Sequence, residues 1–359
     1  MDEASLTENR KMEHINIVLE KDTQYKEKTT FLEYVKILPN SGSIKSDEVE
    51  LGMNLIGKEL SSPLFVSGMT GGHSVAFGIN KNIAIAAEKA GIPMGVGSQR
   101  AMVENKQLVY SYDVKKYAPN LFLIGNIGST KLLSYNDSRI QEMVNDISAD
   151  MLAIHTNPGQ ESVQPEGDLD FRNTKDRIVE LASHLDKPVI VKEVGNGISK
   201  EVAAQLDEKV FGIDVQGAGG TTWIGVELFR NKDKSLGSFW DWGIPTALSV
   251  LEVKSSFSGS VWASGGIRTA SDIVKALALG ADLCGMAKPV IMAERKNGAE
   301  GAYVFLSGMI NKIKEEMADM GFGSVAELRN AKVEITGTLA KLASQRKLKM
   351  DKRIGVKQV

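Results

Sequence analysis

A single cysteine, Cys284, stands among 359 residues. That scarcity excludes an intramolecular disulfide, a cysteine-based zinc site and a thiolate-held cluster, and it fits a reducing compartment. Positive charge is not in excess either. The 43 Lys and Arg face 45 Asp and Glu, a formal net charge of −2, where a nucleic-acid binder would carry a basic surplus. No apolar run approaches the roughly 18 residues of a membrane span. The opening stretch MDEASLTENRKMEH has no apolar core of a secretory leader. These absences predict a cytoplasmic protein with neither a nucleic-acid nor a membrane partner. Hydrophobic residues at 42% and charged residues at 25% are enough for an ordinary globular core and argue against a disordered chain. Glycine is the exception. There are 35, above the usual share of about 7%, and they cluster.

The clusters follow short apolar runs. Residues 64–67 (LFVS) lead into GMTGGH, 94–97 (MGVG) into SQR, 121–124 (LFLI) into GNIGS, and 151–154 (MLAI) into HTNPGQE. Residues 189–192 (VIVK) lead into EVGNG, 211–214 (FGID) into VQGAGGTTW, 261–264 (VWAS) into GGIRT, and 283–286 (LCGM) into AKP. Continuous apolar runs suit strands buried on both faces of a parallel sheet. Between them, residues 79–90, 175–185, 200–206 and 270–279 have helical spacing. Ser199 and Thr269 or Ser271 stand as N-caps, and Gly91 and Gly280 as left-handed C-caps. Eight such units with no low-complexity linker predict one α/β domain, a (β/α)8 TIM barrel. Residues 1–60 form an N-terminal extension, 61–290 the barrel core, and 291–359 a helical C-terminal tail. A β-like stretch at 49–56 is expected to plug the barrel bottom.

Barrel active sites lie on the loops after the strands. In SGGIRT, Gly265 and Gly266 let backbone N–H groups approach a phosphate, and the helix beginning near Thr269 aims its dipole at the same place. Loops seven and eight are where barrels hold phosphate, although a glycine pair can also be a plain turn. Lys192 closes an apolar strand and needs a negative partner, either an anionic ligand or a buried pair with Glu193 or Glu161. HTNPGQE puts His155, Asn157, Gln160 and Glu161 on one loop, and a lone carboxylate suits Mg²⁺. Arg100 offers a fork for phosphate oxygens. Arg10, Lys11 and His14 add cationic groups on a charged segment that otherwise reads as solvated surface. GAGGTTW supplies Thr222 and Trp223, with Glu227 beyond; Cys284 reads as a small core residue.

Taken together, RKMEH, VSGMTGGH, GVGSQR, NIGS, HTNPGQE, VKEVG, QGAGGTTW, ASGGIRT and GMAKP resemble the flavin-dependent type 2 isopentenyl-diphosphate isomerases, from Arg10 to about Pro289. The resemblance implies reduced FMN across the barrel mouth, Mg²⁺ on the substrate diphosphate, and NAD(P)H only as flavin reductant. It implies FMN contacts at Ser67, Gly68, Met69, Thr70, Ser98, Asn126, Lys192 and Thr222, with Gly265, Gly266, Arg268, Ala287 and Lys288 at the phosphate. Arg10, Lys11, Ser98, Gln99, Arg100, His155, Asn157 and Gln160 would bind isopentenyl diphosphate, and Glu161 the metal. Gln160, Trp223, Glu227 and His155 are the catalytic candidates for a 1,3-proton shift to dimethylallyl diphosphate, with reduced flavin supplying acid–base or cation-stabilising help. Members of the family assemble as tetramers or octamers, so a homo-oligomer is expected.

Two other readings compete. A flavin-dependent oxidoreductase of the hydroxy-acid oxidase type would carry a His and an Arg where VQGAGGTTW stands, and the nucleotide dehydrogenases a nucleophilic Cys after strand six. Neither is present. A non-catalytic flavin-binding protein would need no metal carboxylate and no polar HTNPGQE loop.

Overall fold

Each apolar run becomes a strand because its alternate residues meet two different apolar surroundings. The computed structural model describes residues 3–40, 44–231 and 235–357. The strands are β1 (Leu64–Val66), β2 (Met94–Gly95), β3 (Leu123–Gly128), β4 (Met151–His155), β5 (Val189–Lys192), β6 (Gly212–Asp214), β7 (Ser260–Ala263) and β8 (Leu283–Met286). All pair in parallel, and β8 returns to β1 through Cys284 opposite Leu64, so the barrel is closed. Phe65, Ile124, Ala153, Ile190 and Trp262 point into the barrel and pack on one another. Leu64, Val66, Leu152, Ile154, Val191 and Ile213 point outward and pack with the surrounding apolar core. Continuous hydrophobicity follows directly from that double burial. Cys284 belongs to the outer layer, fully buried.

The pairing register decides what reaches the mouth. Gly128, His155, Lys192, Asp214 and Trp262 are successive partners across β3 to β7. Three polar side chains therefore stand at one level, two residues beyond the inward Ala153 and Ile190. β3 starts later than the apolar run implied and continues through GNIG, so Asn126 lies within a strand instead of on a loop.

The bottom is closed by a hairpin, Met53–Leu55 with Lys58–Leu60. Its turn residues Ile56 and Gly57 both have positive φ, 52° and 78°, the primed geometry that matches strand twist. Leu55 and Leu60 join the interior cluster. The tail is more than helical. After two helical segments within Lys288–Asp319, joined at a kink at Asn297 and Gly298, strands Val333–Ile335 and Ile354–Val356 form a small sheet with Val35–Ile37.

The N-terminal charged segment is a helix, Glu3–Glu20. Met12, Ile15 and Leu19 recur at helical spacing on its inner side, and Ile15 is buried in the core. The helix lies over the mouth, where it meets the helix Trp223–Arg230 through a contact of His14 with Glu227.

Candidate active site

Two cavities open side by side at the C-terminal mouth of the barrel. The first, about 920 Å³, is framed by the loops after β1, β7 and β8. Gly265 and Gly266 have φ of +92° and +76°. A Cβ at Gly265 would come within 2.1 Å of the Gly217 carbonyl oxygen, and one at Gly266 within 2.4 Å of Thr30 Cγ2. Only glycine fits either position. Behind them the helix Ala270–Ala278 starts at Thr269, which accepts from the Asp272 N–H while Asp272 reciprocates. Ala287, Arg268 and Lys288 line the same end. Burial lowers the pKa of Arg268 and of Lys288, but a guanidinium stays cationic. Ile15, Val18 and Leu19 of the N-terminal helix form an apolar roof. Ser67 and Thr70 also line this cavity, and their buried hydroxyls have no partner among the described residues. A mainly apolar cavity lined by orphaned hydroxyls and by a glycine cradle with cations fits a flavin ring bearing a phosphate.

The second cavity, about 900 Å³, is polar. It is lined by Ser98, Arg100, Asn126, His155, Asn157, Gln160, Glu161 and Lys192 from the barrel, with Arg10 and Lys11 from the N-terminal helix. Burial, with Arg10 and Arg100 beside it, lowers the Lys11 ammonium to about 7. This cavity gathers cations before an anion arrives. Arg10 rests on Glu166 at 3.4 Å and Arg100 on Glu104 at 2.6 Å. Glu161 accepts from Asn157 Nδ2 and from the Asp168 N–H, both at 2.8 Å. Among the described residues no cluster of three His, Cys, Asp or Glu could hold a metal unaided. A single carboxylate facing a cationic pocket suits Mg²⁺ that completes its shell with water and phosphate oxygens. His155 Nδ1 is 2.8 Å from Asn126 Oδ1. Burial, then the charges of Lys192 and Lys11, holds its pKa well below the ordinary value, so the ring is neutral.

Both cavities share Lys11, His14, Met69, Gln216 and Trp223. The Trp223 ring meets His14 edge-on, with centroids 5.2 Å apart. His14 Nε2 lies 2.8 Å from Glu227 Oε1, which also accepts from Gln160 Nε2 at 2.9 Å. Arg230 donates to Glu227 Oε2 at 2.5 Å. Burial pushes the Glu227 carboxyl up, but the hydrogen bond and charge of His14, the charge of Arg230 and the Gln160 amide outweigh it and bring it to about 2. Burial lowers the His14 pKa against the hydrogen bond and charge of Glu227, and Arg230 is the permanent counter-charge.

Several expectations are corrected. His14 is half-buried and hydrogen-bonded to Glu227, not part of a solvated surface. Thr222 is fully buried and caps the helix Trp223–Arg230 by accepting from the Gly225 N–H; Thr221, one residue earlier, lines the first cavity. Gln99 is buried away from the second cavity, because Nε2 donates to the Met143 carbonyl while Oε1 accepts the Asn126 N–H. Glu227 lines neither cavity and is reached through His14, Gln160 and the Gln164 amide, which faces its Oε1 at 3.2 Å. Lys192 pairs with neither Glu193 nor Glu161 by side chain. Its Nζ donates to the Glu193 carbonyl at 2.9 Å and to Gln216 Oε1 at 3.3 Å. Gly68, Met69, Ala287 and the remaining expected residues line one cavity or the other.

Comparison with known proteins adds to this geometry. Residues 138–335 match the family described as FMN-dependent dehydrogenase. The barrel superposes on mandelate oxidase with a TM-score of 0.64 over 92% of this chain and 97% of that one, at 17% identity. It superposes on a flavocytochrome b2 variant with a TM-score of 0.64 over 88% and 81%, also at 17% identity. Those likenesses concern the fold. At the sequence level, the chain is 41% identical to an isopentenyl-diphosphate delta-isomerase of Pyrococcus furiosus over 96% of its own length and 91% of the relative's. It is 42% identical to another of Methanocaldococcus jannaschii over 94% and 97%. On that near-full-length similarity, the chain belongs to the isopentenyl-diphosphate delta-isomerase family built on the FMN-dependent dehydrogenase barrel.

Proposed function

We propose that this protein interconverts isopentenyl and dimethylallyl diphosphate by a 1,3-allylic proton shift, with FMN in the first cavity and the substrate diphosphate in the second. The observation that carries the reading is the adjacency of the two cavities. A glycine-and-cation cradle ends one, and a cationic pocket with a single carboxylate forms the other. Reduced FMN, once bound, would supply an electron-rich face that stabilises positive charge on the alkene and shares in proton transfer. NAD(P)H would serve only as its reductant.

The chain's own residues hold and enclose the substrate. Arg10, Lys11, Arg100 and His155 would bind the diphosphate oxygens, with Glu161 holding Mg²⁺ against them. Bound phosphate charge beside Lys11 would favour its ammonium form. The shared wall of Trp223 and Met69 would carry the hydrocarbon end, and the helix Glu3–Glu20 would keep water from it. A proton leaving the allylic carbon would pass through the His14 ring to Glu227, with the Gln160 amide holding the carboxylate in place. Among the described residues no helix is long and apolar enough to cross a membrane. We place the protein in the cytoplasm, as a homotetramer or homo-octamer.

The test uses FMN-loaded protein, reduced anaerobically and given isopentenyl diphosphate with Mg²⁺. Accumulation of dimethylallyl diphosphate without stoichiometric loss of reductant supports the proposal. Consumption of one reductant per product would favour an oxidoreductase.

A further inference from the structure

Lys192 and Asp214 are register partners on β5 and β6, two charged side chains inside a barrel whose neighbouring inward residues are apolar or small. Both are buried, with 5% and 1% exposure. With Gly68, Asn126 and Trp262 they line a small cavity between the interior cluster and the mouth. Asp214 Oδ1 accepts the Ser264 hydroxyl at 2.6 Å and the Gln216 N–H at 3.4 Å. The side chain of Gln216 in turn accepts from Lys192 Nζ, so one residue touches both charges.

A buried ammonium needs a counter-charge. The acids acting on Lys192 are Asp214 and Glu193. Glu193 gives Oε2 to the backbone N–H groups of Val194, Gly195 and Asn196, at 2.6, 2.7 and 2.5 Å, which ties it to its own loop, and its Oε1 has no partner among the described residues. Asp214 is the acid that strand register sets beside Lys192 and that Gln216 joins to it.

We propose that Asp214 is a positioning residue that sets the charge Lys192 presents to the flavin. Ionised, it holds the Lys192 ammonium and cancels its charge. Neutral, it leaves a bare cation beneath the ring. This rests on the reading that FMN occupies the first cavity with Lys192 at the ring's edge. Burial, against the pull of Lys192, Ser264 and Gln216, pushes the Asp214 carboxyl up to about 6. The other titratable groups facing the pair are His155 on β4, held neutral, Glu193 after β5, and Cys284 on β8, whose thiol burial keeps protonated. Reduced flavin carries more negative charge than oxidised flavin, so a bare cation favours reduction.

The experiment measures the flavin's midpoint potential in the FMN-loaded full chain against a reference dye, from about pH 5 to about pH 8. Asp214→Asn keeps the acceptor for Ser264 and removes the charge. At the alkaline end its potential should lie above wild type, lowering the oxidised-to-reduced ratio at a fixed dye potential by about tenfold or more. At the acid end the two curves should meet. Ser264→Ala removes a donor to the carboxylate, so the inflection near Asp214's pKa should move to higher pH. Superimposable curves for wild type and Asp214→Asn overturn the proposal. If Asp214→Asn fails to hold FMN, an unmoved inflection in Ser264→Ala overturns it, and a moved one sustains it. Wild-type protein that binds no FMN defeats the underlying reading, and the proposal with it.

Discussion

The two halves of the barrel mouth are built by different means. The half over β7, β8 and β1 is shaped by backbone. Its glycines admit no Cβ, its helix is closed by a reciprocal capping box, and its orphaned hydroxyls, Ser67 and Thr70, stand on the loop after β1. The half over β2 to β5 is shaped by charge, from Arg10, Lys11, Arg100, His155 and Glu161, two of them carried on a helix from outside the barrel. Backbone geometry is insensitive to ionisation and salt but intolerant of added volume. A charge-built pocket tolerates volume but responds to each removed ion. The two halves should therefore fail differently when altered.

The largest effect is expected in the backbone-built half. Gly265→Ala combines a left-handed φ with a 2.1 Å clash against a carbonyl oxygen, together on the order of 3–5 kcal/mol. FMN affinity in a flavin titration should fall by about a hundredfold or the protein should fail to fold. Unchanged flavin binding would remove this loop from the cofactor site.

Next is the hub that joins the halves. Glu227 sits at about 2 in the folded protein, below its ordinary 4.5. A depressed carboxylate contributes stability that is complete above its unfolded pKa and lost as pH falls through the folded one. Denaturation midpoints of wild type should therefore drop between about pH 4.5 and about pH 2 by up to about 3 kcal/mol more than those of Glu227→Gln. Parallel pH profiles would show that Glu227 is not held in this way.

In the charge-built half, Glu161→Gln should raise the Mg²⁺ concentration for half-maximal rate by about thirtyfold, equivalent to about 2 kcal/mol. FMN affinity should stay the same. A variant that loses flavin and keeps its Mg²⁺ dependence would put the carboxylate in the other half. Smaller still, Arg10→Ala should raise KM for isopentenyl diphosphate by about tenfold, within the range of a charged hydrogen bond. Its Tm should hardly move, because the ion pair of Arg10 with Glu166 is a part-exposed contact. Unaltered KM and kcat would take the N-terminal helix out of the active site.

The same contrast explains what could be read in advance. The strands were legible because both faces of each are buried, which leaves an unbroken apolar run. The tight glycine turn was legible because Gly265 and Gly266 follow the apolar run of the seventh unit. The N-terminal helix was obscured by its charge, although Met12, Ile15 and Leu19 carry its period. Thr221 and Thr222 cannot be told apart without the turn that sends one side chain to a cap and the other to the cavity. Gln99 is withdrawn by hydrogen bonds to β3 and to a distant carbonyl, which no local pattern encodes. His14 reaches Glu227 across 213 residues, and Asp214 meets Lys192 through strand register. Contacts of that kind become visible only once the barrel is closed.

A redox-neutral proton shift in two adjoining cavities would consume no reducing equivalents, so the decisive measurement counts electrons. Protein loaded with FMN is reduced anaerobically with a measured amount of dithionite, then given excess isopentenyl diphosphate and Mg²⁺ while product and flavin absorbance are followed. Many turnovers per reducing equivalent are expected, with the flavin still reduced at the end. Flavin oxidised in step with product, or full activity in protein stripped of flavin, would contradict this mechanism.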